Sequence, residues 1–172
     1  MSEIDENEVE LEEDTQKDKF LTFLLGDEVY GIEIRFVTEI IGMQSVTEIP
    51  DLPQYVKGII NLRGKIIPVI DVRLRFKKLS KEYNDRTCII VVDIRGAAVG
   101  LIVDTVAEVL TIANQDIVLP PQFNSDSHYQ RFIKEIGKVD NDVKLILDCD
   151  KLLNDNEVNS LEQLSSIHTA QR

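Results

Sequence analysis

The chain reads as an all-β protein of two small barrels packed together, and three observations predict it. Short runs of β-forming residues alternate with turns carrying Gly or Asp along most of the sequence, the pattern of barrels and sandwiches. The sequence matches itself at a nearly fixed spacing. Each copy is too short to bury an independent core comfortably, so the two are expected to share apolar surface.

At an offset of 69, Gly31 meets Gly100, Ile34 meets Val103, Val37 meets Val106 and Glu39 meets Glu108. Further on, KIIPVIDVRLRF (65–76) meets DVKLILDCDKLL (142–153) at an offset of 77, pairing Asp71 with Asp148. The change of offset is an eight-residue insertion between Thr111 and Lys134. Barrel one is therefore expected at about 19–86 and barrel two at about 87–153, within one domain spanning 18–153.

Residues 1–18 carry nine acids against one base, Lys17, and most of the net charge of −12. Such a run repels itself and reads as a disordered acidic leader over 1–17. Phe20–Leu25 and Val29–Ile34, split by Gly26-Asp27-Glu28, form the first hairpin. Thr87–Ile94 and Ala98–Val103, split by Arg95-Gly96, form its counterpart. CIIVV (88–92) is continuously apolar, so both its faces are expected to be covered. The segments after each hairpin, RFVTEII and DTVAEVL, fit a helical turn or a strand equally well.

Gly58–Leu62 and Ile66–Asp71 form another hairpin, with Gly64 at a turn that favours positive φ. Pro68 has no N–H to donate, which predicts an edge position or a bulge. Its counterpart joins Phe132–Val139 to Val143–Asp148. Asp71 and Asp148 end their strands and are placed to cap short helices. Residues 154–172 are a polar extension, helical from the apolar spacing of positions 158, 161, 164 and 167.

The composition removes several function classes. No apolar run is long enough to span a bilayer, and no basic cluster suits nucleic acid. Cys88 and Cys149 lie in apolar runs and read as buried thiols of a cytosolic protein. Phosphate-binding loops, zinc spacings and nucleophile motifs are missing from the sequence, so no metal or cofactor is expected. Asp71 and Asp148 could form an aspartic dyad, but Val72-Arg73 and Cys149-Asp150 follow them where that chemistry needs small residues. A binding module is favoured over an enzyme. Within it Arg63, at the tip of an apolar hairpin, is either a solvated turn residue or an arginine ordered by a carboxylate.

VKGIINLRGKIIPVIDVRLRF (56–76), with GIEIRFVTEII (31–41) and VGLIVDTVAEVL (99–110), resembles the CheW family of bacterial chemotaxis coupling proteins. The resemblance implies two five-stranded, Src-homology-3-like barrels on a shared core and no catalytic activity. It implies partners too: the cytoplasmic tip of methyl-accepting receptors and the regulatory domain of a CheA-type histidine kinase. Carried over by position, Ile34, Val37, Glu39, Arg63, Val106 and Val109 are expected to meet the receptor, and Gly58, Ile60, Leu62 and Arg63 the kinase. Glu39 and Arg63 are expected to act as a pair. The free chain is expected to be a cytoplasmic monomer, recruited to receptor arrays without entering the membrane. The related CheV proteins add a receiver domain and CheA adds a kinase, for which the sequence leaves no room.

Overall fold

The two copies exchange strands. The computed structural model describes residues 16–121 and 130–170, so the acidic leader, apart from Gln16 and Lys17, lies outside the described residues. The first copy contributes β1 (Lys19–Leu25), β2 (Glu28–Glu33), β3 (Val37–Gly42), β4 (Val56–Leu62), β5 (Lys65–Asp71) and the single-turn helix α1 (Val72–Arg75). The second contributes β6 (Cys88–Ile94), β7 (Ala97–Val103), β8 (Thr105–Thr111), β9 (Ile117–Val118), β10 (Ile133–Val139), β11 (Asp142–Leu147) and α2 (Cys149–Leu152). A longer helix, α3 (Asp155–Ala170), follows.

Sheet A runs β8-β1-β2-β11-β10-β9 and sheet B runs β3-β6-β7-β5-β4. Each sheet thus takes one hairpin from one copy and its remaining strands from the other. This corrects the expected boundaries at 19–86 and 87–153, since neither barrel coincides with a copy. The physical reason is the one that made a small repeat marginal: exchange gives both copies a common interior. The barrels are also not closed by hydrogen bonds. They are curled sheets of six and five strands, with no ladder among the described residues joining the first strand to the last.

Within this exchange the repeat holds residue by residue. Gly31 pairs with Ile146 in the parallel β2–β11 ladder, and Gly100 pairs with Val69 in the parallel β7–β5 ladder. A Cβ on Gly31 would lie 2.9 Å from Ile146 Cδ1, and one on Gly100 would lie 2.7 Å from Val69 Cγ1. Both glycines therefore make room for the same close crossing between copies. Asp71 N–H donates to Tyr55 O at 2.8 Å and Asp148 N–H to Phe132 O at 2.9 Å, again related by the offset of 77. Each aspartate then caps its helix, Asp71 accepting from Leu74 N–H and Asp148 from Asp150 N–H.

The apolar runs are explained by three cores. Leu21, Phe23, Tyr30, Ile90, Val92 and Leu101 are among those filling the space between the sheets. Ile60, Ile67, Val69, Ile89, Val91 and Ile102 fill the concave side of sheet B, and Phe20, Ile112 and Ile146 that of sheet A. Ile89 and Val91 face one core while Ile90 and Val92 face the other, so CIIVV is covered on both sides as expected. Cys149 is buried, but Cys88 is only partly so. The segment after β2 uses both conformations left open by its spacing, a 3₁₀ turn at Ile34–Phe36 and then strand β3.

Pro68 departs from expectation. It sits on β5, an interior strand, but its parallel ladder with β7 begins only at Val69. The bulge lies instead in β4, between Val56 and Gly58. The polar extension also proves structural: Val158, Leu161 and Leu164 of α3 are buried in the inter-sheet core. Its start is fixed by a capping box, with Glu157 N–H donating to Asn154 Oδ1 and Asn154 N–H to Glu157 Oε1. Glu157 also accepts from Arg75 and from the Tyr55 hydroxyl. Burial, then Arg131, draws the Arg75 pKa down to about 10, which still leaves it charged at neutral pH.

Where the chain passes from β7 in sheet B to β8 in sheet A, Asp104 takes two bonds from Arg73, at 2.6 and 2.5 Å, and one from Gly26 N–H at 2.8 Å. The side chains are only 16% and 11% exposed. Removing one partner strands a desolvated charge. Asp104→Ala should therefore cost roughly 2–4 kcal/mol by urea denaturation at neutral pH, and a loss under about 1 kcal/mol would class the pair with solvent-screened ones. Burial opposes ionisation of Asp104, but Arg73, Gly26 N–H and Lys81 outweigh it and hold the carboxyl below its ordinary 3.8. A lowered pKa gives stability that is present above the unfolded value and lost as pH falls towards the folded one. Asp104→Asn should accordingly flatten the loss of stability below about pH 4.

Candidate functional site

The site forms where sheet B curls. Its edge strands β3 and β4 stand at opposite ends of the hydrogen-bond order, yet Arg63 Nη2 donates to both carboxylate oxygens of Glu39, at 2.8 and 2.6 Å. The ion pair clasps the two edges at the mouth of the barrel, where no ladder closes it. Glu39 lies at a bulge, since the β3–β6 register shifts between Val37 and Glu39. There Thr38 Oγ1 donates to Val91 O at 2.9 Å. A bulge re-aims the side chains beside it, here turning Glu39 towards the β4–β5 tip.

Arg63 and Gly64 are the two central residues of that tip, with φ of 52° and 88°, the backbone of a type I′ turn. Glycine accepts this conformation without strain, whereas arginine pays about 1 kcal/mol. The side chain must compensate, and among the described residues its ion-pair partner is Glu39. Arg63 stays 70% exposed and Glu39 31% exposed, so the pair is ordered but open to a partner. It borders a cleft of about 430 Å³ lined by Leu62, Lys65, Val91, Asp93 and Ala98 among others. Replacing Arg63 by Asn, which tolerates this turn, removes the pair but relieves the backbone. The melting temperature of Arg63→Asn should stay within a few degrees of the parent, because an exposed pair contributes only about 0–1 kcal/mol. A large fall would mean that the clasp holds the sheet.

The structure separates the remaining expected residues. Ile34, Val37 and Val106 are partly buried against the inter-sheet core, while Val109 is 52% exposed. Ile40, the counterpart of Val109 at the offset of 69, is 44% exposed. It was absent from the expected set although the offset points to it. β3 and β8, one edge strand of each sheet, thus each present one bare aliphatic side chain. Gly58 and Ile60 offer no surface: Gly58 is buried, and Ile60 is 1% exposed inside sheet B. Their expected role as kinase contacts is corrected to support of the hairpin. Leu62 is half-buried, and with Arg63 it is the part of that set that reaches solvent.

The second copy lacks the clasp. Its counterparts of Glu39 and Arg63 are Glu108 and Asp140, two acids that cannot pair, and β9 adds a sixth strand beside β10 instead. The aspartic-dyad alternative fails on use: Asp71 is committed to its cap and to the Tyr83 hydroxyl at 2.7 Å. The Cys149 thiol is pushed up by burial, and further by Asp150 and Asp148, the reverse of what a nucleophile needs. Among the described residues no cluster of His, Cys, Asp and Glu could hold a metal ion, and no helix is long and apolar enough to cross a membrane.

Comparison with known proteins agrees with this architecture. A family model described as the CheW-like domain matches residues 19–157. The chain is 34% identical over 155 residues to the chemotaxis protein CheW of Klebsiella aerogenes, covering 90% of this chain and 93% of that one. It is 32% identical to the chemotaxis protein CheW of Bacillus subtilis, covering 76% and 87%. The crystal structure of the scaffolding protein TtCheW from Thermoanaerobacter tengcongensis superposes with a TM-score of 0.74 at 38% identity, covering 81% of this chain and 94% of that one. With the family model spanning most of the chain and the fold and sequence both in agreement, the chain belongs to the CheW-like domain family.

Proposed function

We propose that the chain is a non-catalytic chemotaxis scaffold that couples methyl-accepting receptors to a CheA-type histidine kinase. The observation that carries this reading is Arg63, held at positive φ on Glu39 and largely exposed. The arrangement strains the turn and adds little to stability, so its gain lies at the surface. The receptor tip, a helical hairpin, is assigned to the apolar edges carrying Ile34, Val37, Ile40, Val106 and Val109, and the kinase regulatory domain to Leu62 and Arg63. The free chain is a cytoplasmic monomer on this reading, drawn to receptor arrays by its partners. A pull-down with a receptor cytoplasmic fragment and a CheA-type kinase tests it. The chain should retain both together and raise the amount of kinase held by the receptor. Retention of neither partner, or of one only at the expense of the other, would overturn the role.

A further inference from the structure

We propose that Asn61 is the positioning residue of the Arg63 site, acting through the backbone of the turn and not by touching a partner. The inference rests on the coupling role proposed above and names what holds its central residue in place. Asn61 Oδ1 accepts Gly64 N–H at 2.8 Å, a bond that spans Arg63 and fixes the peptide on its C-terminal side. Asn61 is exposed, and among the described residues its side chain makes no other hydrogen bond. Its contribution is therefore confined to the turn.

A second turn in the same sheet repeats the device. Asp93 Oδ1 accepts Gly96 N–H at 2.7 Å, and between them Arg95 and Gly96 take φ of 50° and 87°. There the arginine is used inside the molecule. Its guanidinium donates to Leu153 O at 2.6 Å and to Asp150 O, and stands 3.2 Å from Asp155 Oδ1. Twice in sheet B, then, an oxygen two residues before an arginine and three before a glycine holds that arginine left-handed. In one case the side chain anchors the start of α3; in the other it is turned to Glu39 and the surface. The repeat does not explain the likeness, because the counterpart of Arg63 is Asp140 and that of Arg95 is Gly26. The acceptor belongs to the arginine-bearing turns as such. Losing it frees the Arg63–Gly64 peptide to rotate, and the guanidinium leaves Glu39.

The test measures binding of the full chain to the receptor fragment and to the kinase regulatory domain for Asn61→Ala, Asn61→Asp, Arg63→Ala and the Asn61→Ala/Arg63→Ala double variant. It also follows the guanidinium N–H resonances of Arg63 by NMR. Asn61→Ala should weaken binding by about three- to tenfold and shift those resonances. Asn61→Asp should stay within about twofold of the parent, because a carboxylate oxygen does the same work at Asp93. In the Arg63→Ala background Asn61→Ala should add nothing. An equal loss with and without Arg63, or unmoved Arg63 resonances in Asn61→Ala, would overturn the inference. If the resonances shift while Arg63→Ala leaves binding unchanged, positioning stands and the coupling role is what fails.

Discussion

Gly58→Ala should be among the most destabilising single-methyl additions in this chain. A Cβ at Gly58 would lie 2.1 Å from Thr47 O and 2.8 Å from Thr47 C, and Gly58 has φ of +145°, a region that residues with a side chain rarely enter. The clash is with backbone, so no rotamer relieves it. Thr47 must move away, and its two bonds with Ile59, at 2.9 and 3.0 Å, go with it. Strain of about 1–3 kcal/mol and two hydrogen bonds of about 1 kcal/mol each give an expected loss of roughly 3–5 kcal/mol. Chemical denaturation measures it. Gly42→Ala is the control, since no atom lies within 4 Å of the added methyl there. A loss under about 1 kcal/mol at Gly58, comparable to the control, would show that the Thr47 segment yields freely. Thr47 also covers the outer edge of β4 at Ile59, and a bare edge strand invites pairing with other chains, so the variant should also aggregate more readily on heating.

The repeat illustrates what a sequence discloses and what it withholds. The repeat was legible in the alignment of Gly31 with Gly100 and Asp71 with Asp148, and it survives to individual hydrogen bonds. It was legible because equivalent positions face equivalent packing, and packing constrains residue type. The exchange of strands was not, because likeness between copies equates β2 with β7 but is silent on whether β2 takes β5 or β11 as its neighbour. That choice depends on contacts distant in sequence. Val69 could face either Gly31 or Gly100 on the repeat alone, and only the traced chain places it opposite Gly100.

Burial explains the site errors in the same way. Gly58, Ile60, Leu62 and Arg63 lie within one hairpin and share one motif, and Ile60 and Leu62 point to the same face of β4, but Ile60 lies deep in sheet B while Leu62, beside the turn, is only partly buried against the same cluster. A motif marks the hairpin as a unit; nearness to the turn decides which members meet solvent. Ile40 stands outside the expected set for the opposite reason. It carries no motif signal, and only its offset from Val109 and its bare position on β3 single it out. The helical spacing of 158, 161 and 164 was readable, yet composition alone classed the segment as a polar extension, because the three apolar residues on its buried face are outnumbered by Asn, Ser, Gln and Glu.

Glu39 and Arg63 should separate function from stability. Glu39→Ala and Arg63→Ala are each expected to weaken receptor–kinase coupling by about tenfold, about 1.4 kcal/mol, with the melting temperature moving by only a few degrees. The reason is geometric. A pair that is 31% and 70% exposed is screened by water and adds about 0–1 kcal/mol to folding, while its order at the rim spares a partner the cost of fixing a long side chain on binding. If mutual attraction creates that order, the double variant should lose less than the sum of the two single losses. The charge exchange Glu39→Arg with Arg63→Glu should then recover part of the coupling. A double-mutant cycle on receptor binding gives the interaction directly. A value of about 1 kcal/mol would fit a clasp that presents Arg63 as a fixed group. A value near zero, with each single loss intact, would mean that the carboxylate and the guanidinium meet partners independently, and the ion pair across the barrel mouth would then be a resting contact that binding replaces.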